Sequence, residues 1–212
     1  MFGVRDCHQA PPESEEPGDP TGRDIAGGLR VGHAVGPVDS HAVELAAPPY
    51  NRRVTAKRPS ETATEMVQVV LPNDANPLGY ILGGTVMHLI DIAGAIACHR
   101  HTRSLLVTAA VDGLQFLHPI KVGDLIILHA QVTAAWSTSL EVAVEVFSEE
   151  ILTGVRKMTS RAYLTFVAID LEGRRIPVPE LILETEEEKR RAAEAQVRRT
   201  ERLAARKALE TR

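Results

Sequence analysis

Cysteine is nearly absent from this chain: there are two among 212 residues, Cys7 in a proline-rich stretch and Cys98 in an apolar one. That excludes a disulfide scaffold and a Cys-x-x-Cys metal site, and Cys98 reads as a small core residue. No run approaches the roughly 18 apolar residues of a membrane-spanning helix. The start, MFGVRDCHQAPPESEEP, has no apolar h-region, and its acids do not suit a transit peptide. A cytoplasmic protein is the expectation. Charge imbalance is missing too: 24 Lys+Arg against 28 Asp+Glu leave a net charge of -4, so the chain as a whole has no electrostatic reason to seek nucleic acid or anionic lipid. Neither a P-loop, a Rossmann glycine pattern nor a Gly-x-Ser-x-Gly elbow occurs, which removes the usual signatures of nucleotide binding and Ser-His-Asp hydrolysis. His99 and His101 stand at helix positions i and i+2, which face different ways, so no metal is expected.

What is present falls into three regions behind a globular average of 44% hydrophobic and 25% charged residues. Residues 1–58 hold seven prolines and seven glycines without sustained periodicity. They cannot bury enough apolar surface to offset ordering entropy, and a disordered leader is expected. Residues 59–183 are patterned as a domain. ATEMVQVVL reads as a strand, PNDANPLGY as a turn, and the stretch from Gly83 to His101 as a helix apolar on nearly every face, hence a buried one. Four β-rich runs follow, separated by HPIKVG, WSTS and SEEILTG, breaks short enough for antiparallel neighbours. The simplest solution is α+β: one long antiparallel sheet wrapped around a central helix. One helix cannot cover both faces of such a sheet, so dimerisation is expected. Residues 184–212 carry nine Lys+Arg and seven Glu, and Thr185 with Glu188 makes a capping-box pattern. A charged C-terminal helix results, and its thin apolar stripe of Ala193, Val197, Ala204 and Ala208 suggests that it is solvated.

Chemistry concentrates between Asn73 and Asp91. Gly83 and Gly84 leave backbone N–H groups uncovered at the positive end of a helix, where they would serve as oxyanion donors or simply allow close packing against the sheet. Asp91 is the single acid between Val86 and Cys98. An ionised carboxylate there is costly unless paired or used, as a base or as a satisfied structural group. Asn76 would polarise a carbonyl or orient water, or else be an ordinary turn residue. Gly83 and Asp91 are eight residues apart, about 12 Å along a helix. They cannot serve one carbonyl from one chain, but an antiparallel second copy of the helix would bring Asp91 of one subunit to Gly83 of the other.

Asn76, Gly83-Gly84, Asp91-Ile-Ala-Gly-Ala, Val107-Thr108-Ala-Ala-Val-Asp112, Phe116-x-x-Pro119-Ile, Val122-Gly123-Asp124, Ser137-Thr138-Ser139 and Phe166-Val-Ala form an ordered series. It resembles the hot-dog-fold acyl-CoA thioesterases, in particular the group with the bacterial broad-range and brain-type cytosolic acyl-CoA hydrolases. The resemblance covers residues 63–183 and nothing in the leader. It implies a hot-dog fold and hydrolysis of acyl-CoA to a free acid and CoA, with no metal and no cofactor beyond the CoA of the substrate. It also implies sites between the subunits of a double hot-dog dimer, usually assembled as a trimer of dimers. By family position, Asp91 is the catalytic aspartate, a general base or nucleophile, assisted by Asn76, Gly83 and Gly84. Thr108, Ser137, Thr138 and Ser139 then contact pantetheine or phosphate, while Arg156, Lys157 and Arg161 offer positive charge to CoA, or else form an edge-strand surface. His118 occupies a variable position and is taken as a turn residue. The alternatives are a hot-dog hydratase or dehydratase, which would need a histidine in the loop before the helix, and a non-catalytic acyl-CoA sensor.

Overall fold

The computed structural model describes residues 55–210. The expected leader therefore lies, up to residue 54, outside the described residues. Its last residues belong to the fold: Lys57 forms a parallel bridge to Leu181, with Ile182 N–H donating to the Lys57 carbonyl at 2.9 Å.

The elements are β1 (Thr64–Val69), α1 (Gly83–Thr102), β2 (Leu105–Phe116), β3 (Leu125–Ala135), β4 (Ser139–Glu149), β5 (Arg156–Ile169) and α2 (Glu186–Glu210). The five strands form one sheet in the order β1-β3-β4-β5-β2, every pair antiparallel. This is the hot-dog arrangement expected from the resemblance. Alternate residues of β4 (Leu140, Val142, Val144, Val146) and of β5 (Ala162, Leu164, Phe166) form a buried core with Val86, Ile90, Ala93 and Ala97 of α1. None of the described helices is long and apolar enough to cross a membrane.

Helix and sheet approach most closely at Gly94. A Cβ there would lie 3.1 Å from Val142 Cγ1 and 3.2 Å from Phe166 Cε2. By contrast, a Cβ on Gly84 would meet nothing within 4 Å, and one on Gly83 only Phe116 at ordinary contact distance. The close-packing explanation thus applies to Gly94 and not to the Gly83–Gly84 pair. Gly94→Val is expected to destabilise the chain by about 1–3 kcal/mol through overpacking, while Gly84→Ala lowers the thermal midpoint little or not at all; paired thermal melts distinguish the two.

The expectation that α1 is buried all round needs correction. Gly83, Gly84, Met87 and His88 are exposed and Asp91 is only partly covered, because the curved sheet of one chain encloses one side of the helix. Strand β2 is likewise an uncovered edge, with Leu105, Val107, Val111 and Phe116 all exposed. Strand β5, in contrast, runs between β4 and β2, so Arg161 is flanked on both sides, whereas Arg156 and Lys157 extend beyond the β2 register and pair with β4 alone.

The capping box of α2 forms: Glu188 N–H donates to Thr185 Oγ1 at 3.1 Å and Thr185 N–H to Glu188 Oε2 at 3.0 Å. The helix is nevertheless not a solvated tail. Ala195 is fully buried, and Arg198 pairs with Glu141 of β4 at 2.8 Å while stacking over the Tyr163 ring of β5 at 3.6 Å. Trp136 Nε1–H donates to Gln196 at 3.0 Å, Arg199 lies over the Trp136 ring, and Arg202 pairs with Asp112 of β2. The stripe of Ala193, Val197, Ala204 and Ala208 points outward. Docking uses arginine planes on aromatic and acidic partners in place of aliphatic burial, which an apolar-periodicity count does not register.

At the far end of α1, His99 and His101 have separate surroundings. His99 is exposed, with Nδ1 2.9 Å from the Ser104 carbonyl. His101 is buried; its Nε2 lies 3.1 Å from the Pro179 carbonyl, so Nε2–H donates, and its Nδ1 has no partner among the described residues. Burial depresses the imidazole pKa, outweighing the opposing effect of the carbonyl. Protons then bind more readily to the unfolded chain. The contribution to stability is complete above the unfolded value of about 6.5 and declines as pH falls from there towards the folded pKa. Urea melts between about pH 5 and 7.5 should show that slope, and His101→Gln should flatten it.

Candidate active site

The site starts at the N-terminus of α1. Leu82, the N-cap residue, provides no side-chain hydrogen bond, and the first turn contains no acid. The amides of Gly83 and Gly84 therefore face outward with neither an intrahelical acceptor nor a side-chain cap, at the positive end of a 20-residue helix. The preceding loop is held in place by Leu82 N–H donating to the Asp74 carbonyl and Ile81 N–H to the Ile120 carbonyl, at 2.8 and 2.9 Å.

Asn76 organises that loop. Its Oδ1 accepts from the N–H groups of Leu78 at 2.9 Å and Tyr80 at 3.3 Å, and its own N–H donates to the Tyr80 carbonyl. The side-chain oxygen is thus used locally, and the Nδ2 amide is what Asn76 can direct at a ligand. Asn76, Tyr80, Gly83, Phe116, His118 and Ser160 line one cavity of about 380 Å³. The structure thereby brings Asn76 to Gly83, and it places His118 in the wall of the same cavity, a position that its variability in the motif had not suggested.

Asp91 projects from the middle of α1, two turns from the glycines. Its Oδ1 accepts a 2.7 Å hydrogen bond from Thr108 Oγ1 of β2. Thr108, expected by family position to contact pantetheine or phosphate, thus holds the carboxylate with its hydroxyl. The separation of 17 residues carries no local pattern that would have revealed the pair.

The remaining candidates lie elsewhere. Ser137 and Thr138 lie in the β3–β4 turn, their carbonyls accepting from the Val178 and Ala168 N–H groups, and Ser139 opens β4. Ser137 lines a separate cavity of about 550 Å³ with Trp136, Leu181 and Ala192. Arg161 pairs with Glu145 at 2.8 Å and Arg156 with Glu149, both across the β4–β5 ladder. Lys157 is exposed beside them.

A thioesterase-superfamily profile matches residues 78–155. A Bacillus subtilis protein described as an uncharacterized acyl-CoA thioester hydrolase is 41% identical over 119 residues, covering 56% of this chain and 69% of that protein. The chain belongs to the thioesterase superfamily. Among solved structures similar to this chain is an apo-hexameric acyl-CoA thioesterase, with a TM-score of 0.69 and 38% identity, covering 72% of this chain and 97% of that one. An acyl-CoA hydrolase of Staphylococcus aureus, solved with butyryl coenzyme A and coenzyme A, has a TM-score of 0.66 and 32% identity over 74% of this chain and 98% of its own. Variants of that hydrolase carry alanine in place of an Asn, an Asp and a Thr, which are separated by 15 and 17 residues. Asn76, Asp91 and Thr108 of this chain have the same separations.

Proposed function

We propose that the chain hydrolyses acyl-CoA to a free acid and CoA, at sites shared between two copies. The carrying observation is the Asp91 carboxylate, held by Thr108 on the uncovered side of a helix whose Gly83–Gly84 amides are also uncovered. One helix keeps these groups about 12 Å apart. Two antiparallel helices bring Asp91 of one protomer against Gly83 of its partner. The exposed apolar residues of the β2 edge supply the surface for that pairing, and the hexameric state of a similar thioesterase supports further assembly.

The chemistry needs few groups. The leaving CoA thiolate resembles a cysteine thiolate, with a reference pKa of about 8.5, so its departure requires little general-acid help. In the proposed reaction, the Gly83 or Gly84 N–H and Asn76 Nδ2–H donate to the carbonyl oxygen as it becomes an oxyanion. Asp91, with one oxygen held by Thr108, takes a proton from water through the other as that water attacks the thioester carbon. The tetrahedral species then expels the thiolate. In the covalent variant Asp91 attacks the thioester carbon directly, the C–S bond breaks to release CoA thiolate, and water hydrolyses the resulting mixed anhydride to the free acid and the Asp91 carboxylate. Single turnover in oxygen-18 water separates the two routes: label in the enzyme carboxylate excludes the pure general-base route. Matching of the Asn, Asp and Thr separations to residues chosen for substitution in the Staphylococcus aureus hydrolase supports these assignments.

The test is release of free thiol from acetyl-, hexanoyl- and palmitoyl-CoA in a thiol-reactive dye assay. Turnover of at least one supports the proposal. Absence of turnover with a raised thermal midpoint on CoA-ester binding replaces it with the sensor function.

A further inference from the structure

Strand β2 carries two groups that touch the proposed site: Thr108, bonded to Asp91, and Phe116, which lines the cavity beside Gly83. Yet the stretch between them is the part of the sheet least defined by its own ladder. β2 is an edge strand paired with β5 alone, and its register slips twice, between Thr108 and Ala110 and between Asp112 and Gln115. Gly113 adopts a left-handed φ of 65°. Such bulged edges bend and re-aim the side chains beside them unless something else holds them.

Asp112 lies between the two slips, and its carboxylate is held by Arg202 of α2. The pair is largely shielded, with 18% of the Arg202 side chain and 26% of that of Asp112 exposed. Arg202 is anchored in turn, one helical turn after Arg198, which binds fully buried Glu141 and lies over Tyr163. Tyr163 is the residue opposite Asp112 in the β2–β5 register. The C-terminal helix therefore grips both strands at the level of the bulges, four residues from Thr108 on one side and four from Phe116 on the other.

Building on the hydrolase assignment above, we propose that Arg202 and Asp112 are positioning residues: α2 sets the bulged stretch of β2, and through it the Thr108 hydroxyl that aims the Asp91 carboxylate. Neither residue touches substrate. A displacement of about 1 Å in a reacting group can cost up to roughly a hundredfold in rate, so a small relaxation of β2 should register in turnover more than in binding. The pair should also act as a unit, giving non-additive substitutions.

The test uses the full-length chain and the acyl-CoA turned over fastest by wild type. Arg202→Gln and Asp112→Asn are each expected to lower kcat by about 3- to 10-fold, with KM within about twofold and thermal midpoints well above the assay temperature. The double variant should lose no more than either single one, and Arg202→Lys should recover most of the turnover. Unchanged kcat in both single variants, or full additivity in the double, overturns the proposal. So does a fall in thermal midpoint with kcat intact, which would make the pair purely structural. Asp91→Asn is measured in parallel. If it is fully active, the catalytic assignment fails on its own account; if it is inactive while Arg202→Gln matches wild type, only the positioning role fails.

Discussion

Asp91→Asn is expected to lower kcat for acyl-CoA hydrolysis by about 10²- to 10⁴-fold, the range associated with loss of a general base, while leaving assembly and thermal midpoint close to wild type. Asparagine matches aspartate in size and retains an oxygen to accept the 2.7 Å hydrogen bond from Thr108, so β2 and α1 should keep their relation. What is lost is the capacity to take a proton from water or to attack as a nucleophile. Steady-state thiol release measured alongside size-exclusion chromatography checks both parts. Retention of wild-type turnover would move the base elsewhere; loss of turnover together with loss of assembly would make Asp91 a structural residue of the subunit contact.

The largest stability effect is expected at Arg198. Glu141 is fully buried in β4. Its carboxylate accepts from Thr133 Oγ1 at 2.7 Å and from Arg198 Nη2 and Nε at 2.8 and 3.1 Å. Arg198→Ala removes the counter-charge and the stacking on Tyr163, leaving a buried carboxylate with a single hydroxyl donor. Breaking a buried pair from one side costs about 3–5 kcal/mol, which for a chain of this length lowers the thermal midpoint by roughly 2–4 °C per kcal/mol. Glu141→Leu combined with Arg198→Met should recover most of the loss, since no unpaired charge remains in the sheet face. Calorimetry of the single and double variants decides: a single variant within about 1 kcal/mol of wild type would mean that α2 docks without depending on this pair.

Several features of the protein were legible in local pattern. The β-rich composition of the four runs and their short breaks marked strands whose inner residues became the core, and Gly83 marked the start of α1, which ends at Thr102. Thr185 and Glu188 announced their reciprocal cap because both partners lie within one turn. The pattern of elements also raised the expectation of a second chain, since one helix cannot cover both faces of a five-stranded sheet. The docking of α2 was not. Helical periodicity ranks apolar residues as the buried face, whereas this helix buries Ala195 and the planes of Arg198 and Arg199, whose value depends on Tyr163, Trp136 and Glu141 being opposite.

The candidate site divides in the same way. Residue identity marked Asp91, Asn76 and the Gly83–Gly84 pair as candidates, each with a structural alternative that the resemblance weighed against, and spacing along α1 placed carboxylate and donors too far apart for one chain, because helix geometry is a local rule. The fold decided what each of them faces. It gave Gly94 the close contact with the sheet and left Gly83 and Gly84 open, turned the Asn76 oxygen into its own loop, and brought Thr108 to Asp91 across 17 residues of chain. Those outcomes depend on sheet order, on the bulged register of β2 and on the helix behind it. They follow from contacts between segments distant in sequence, which no spacing along the chain encodes.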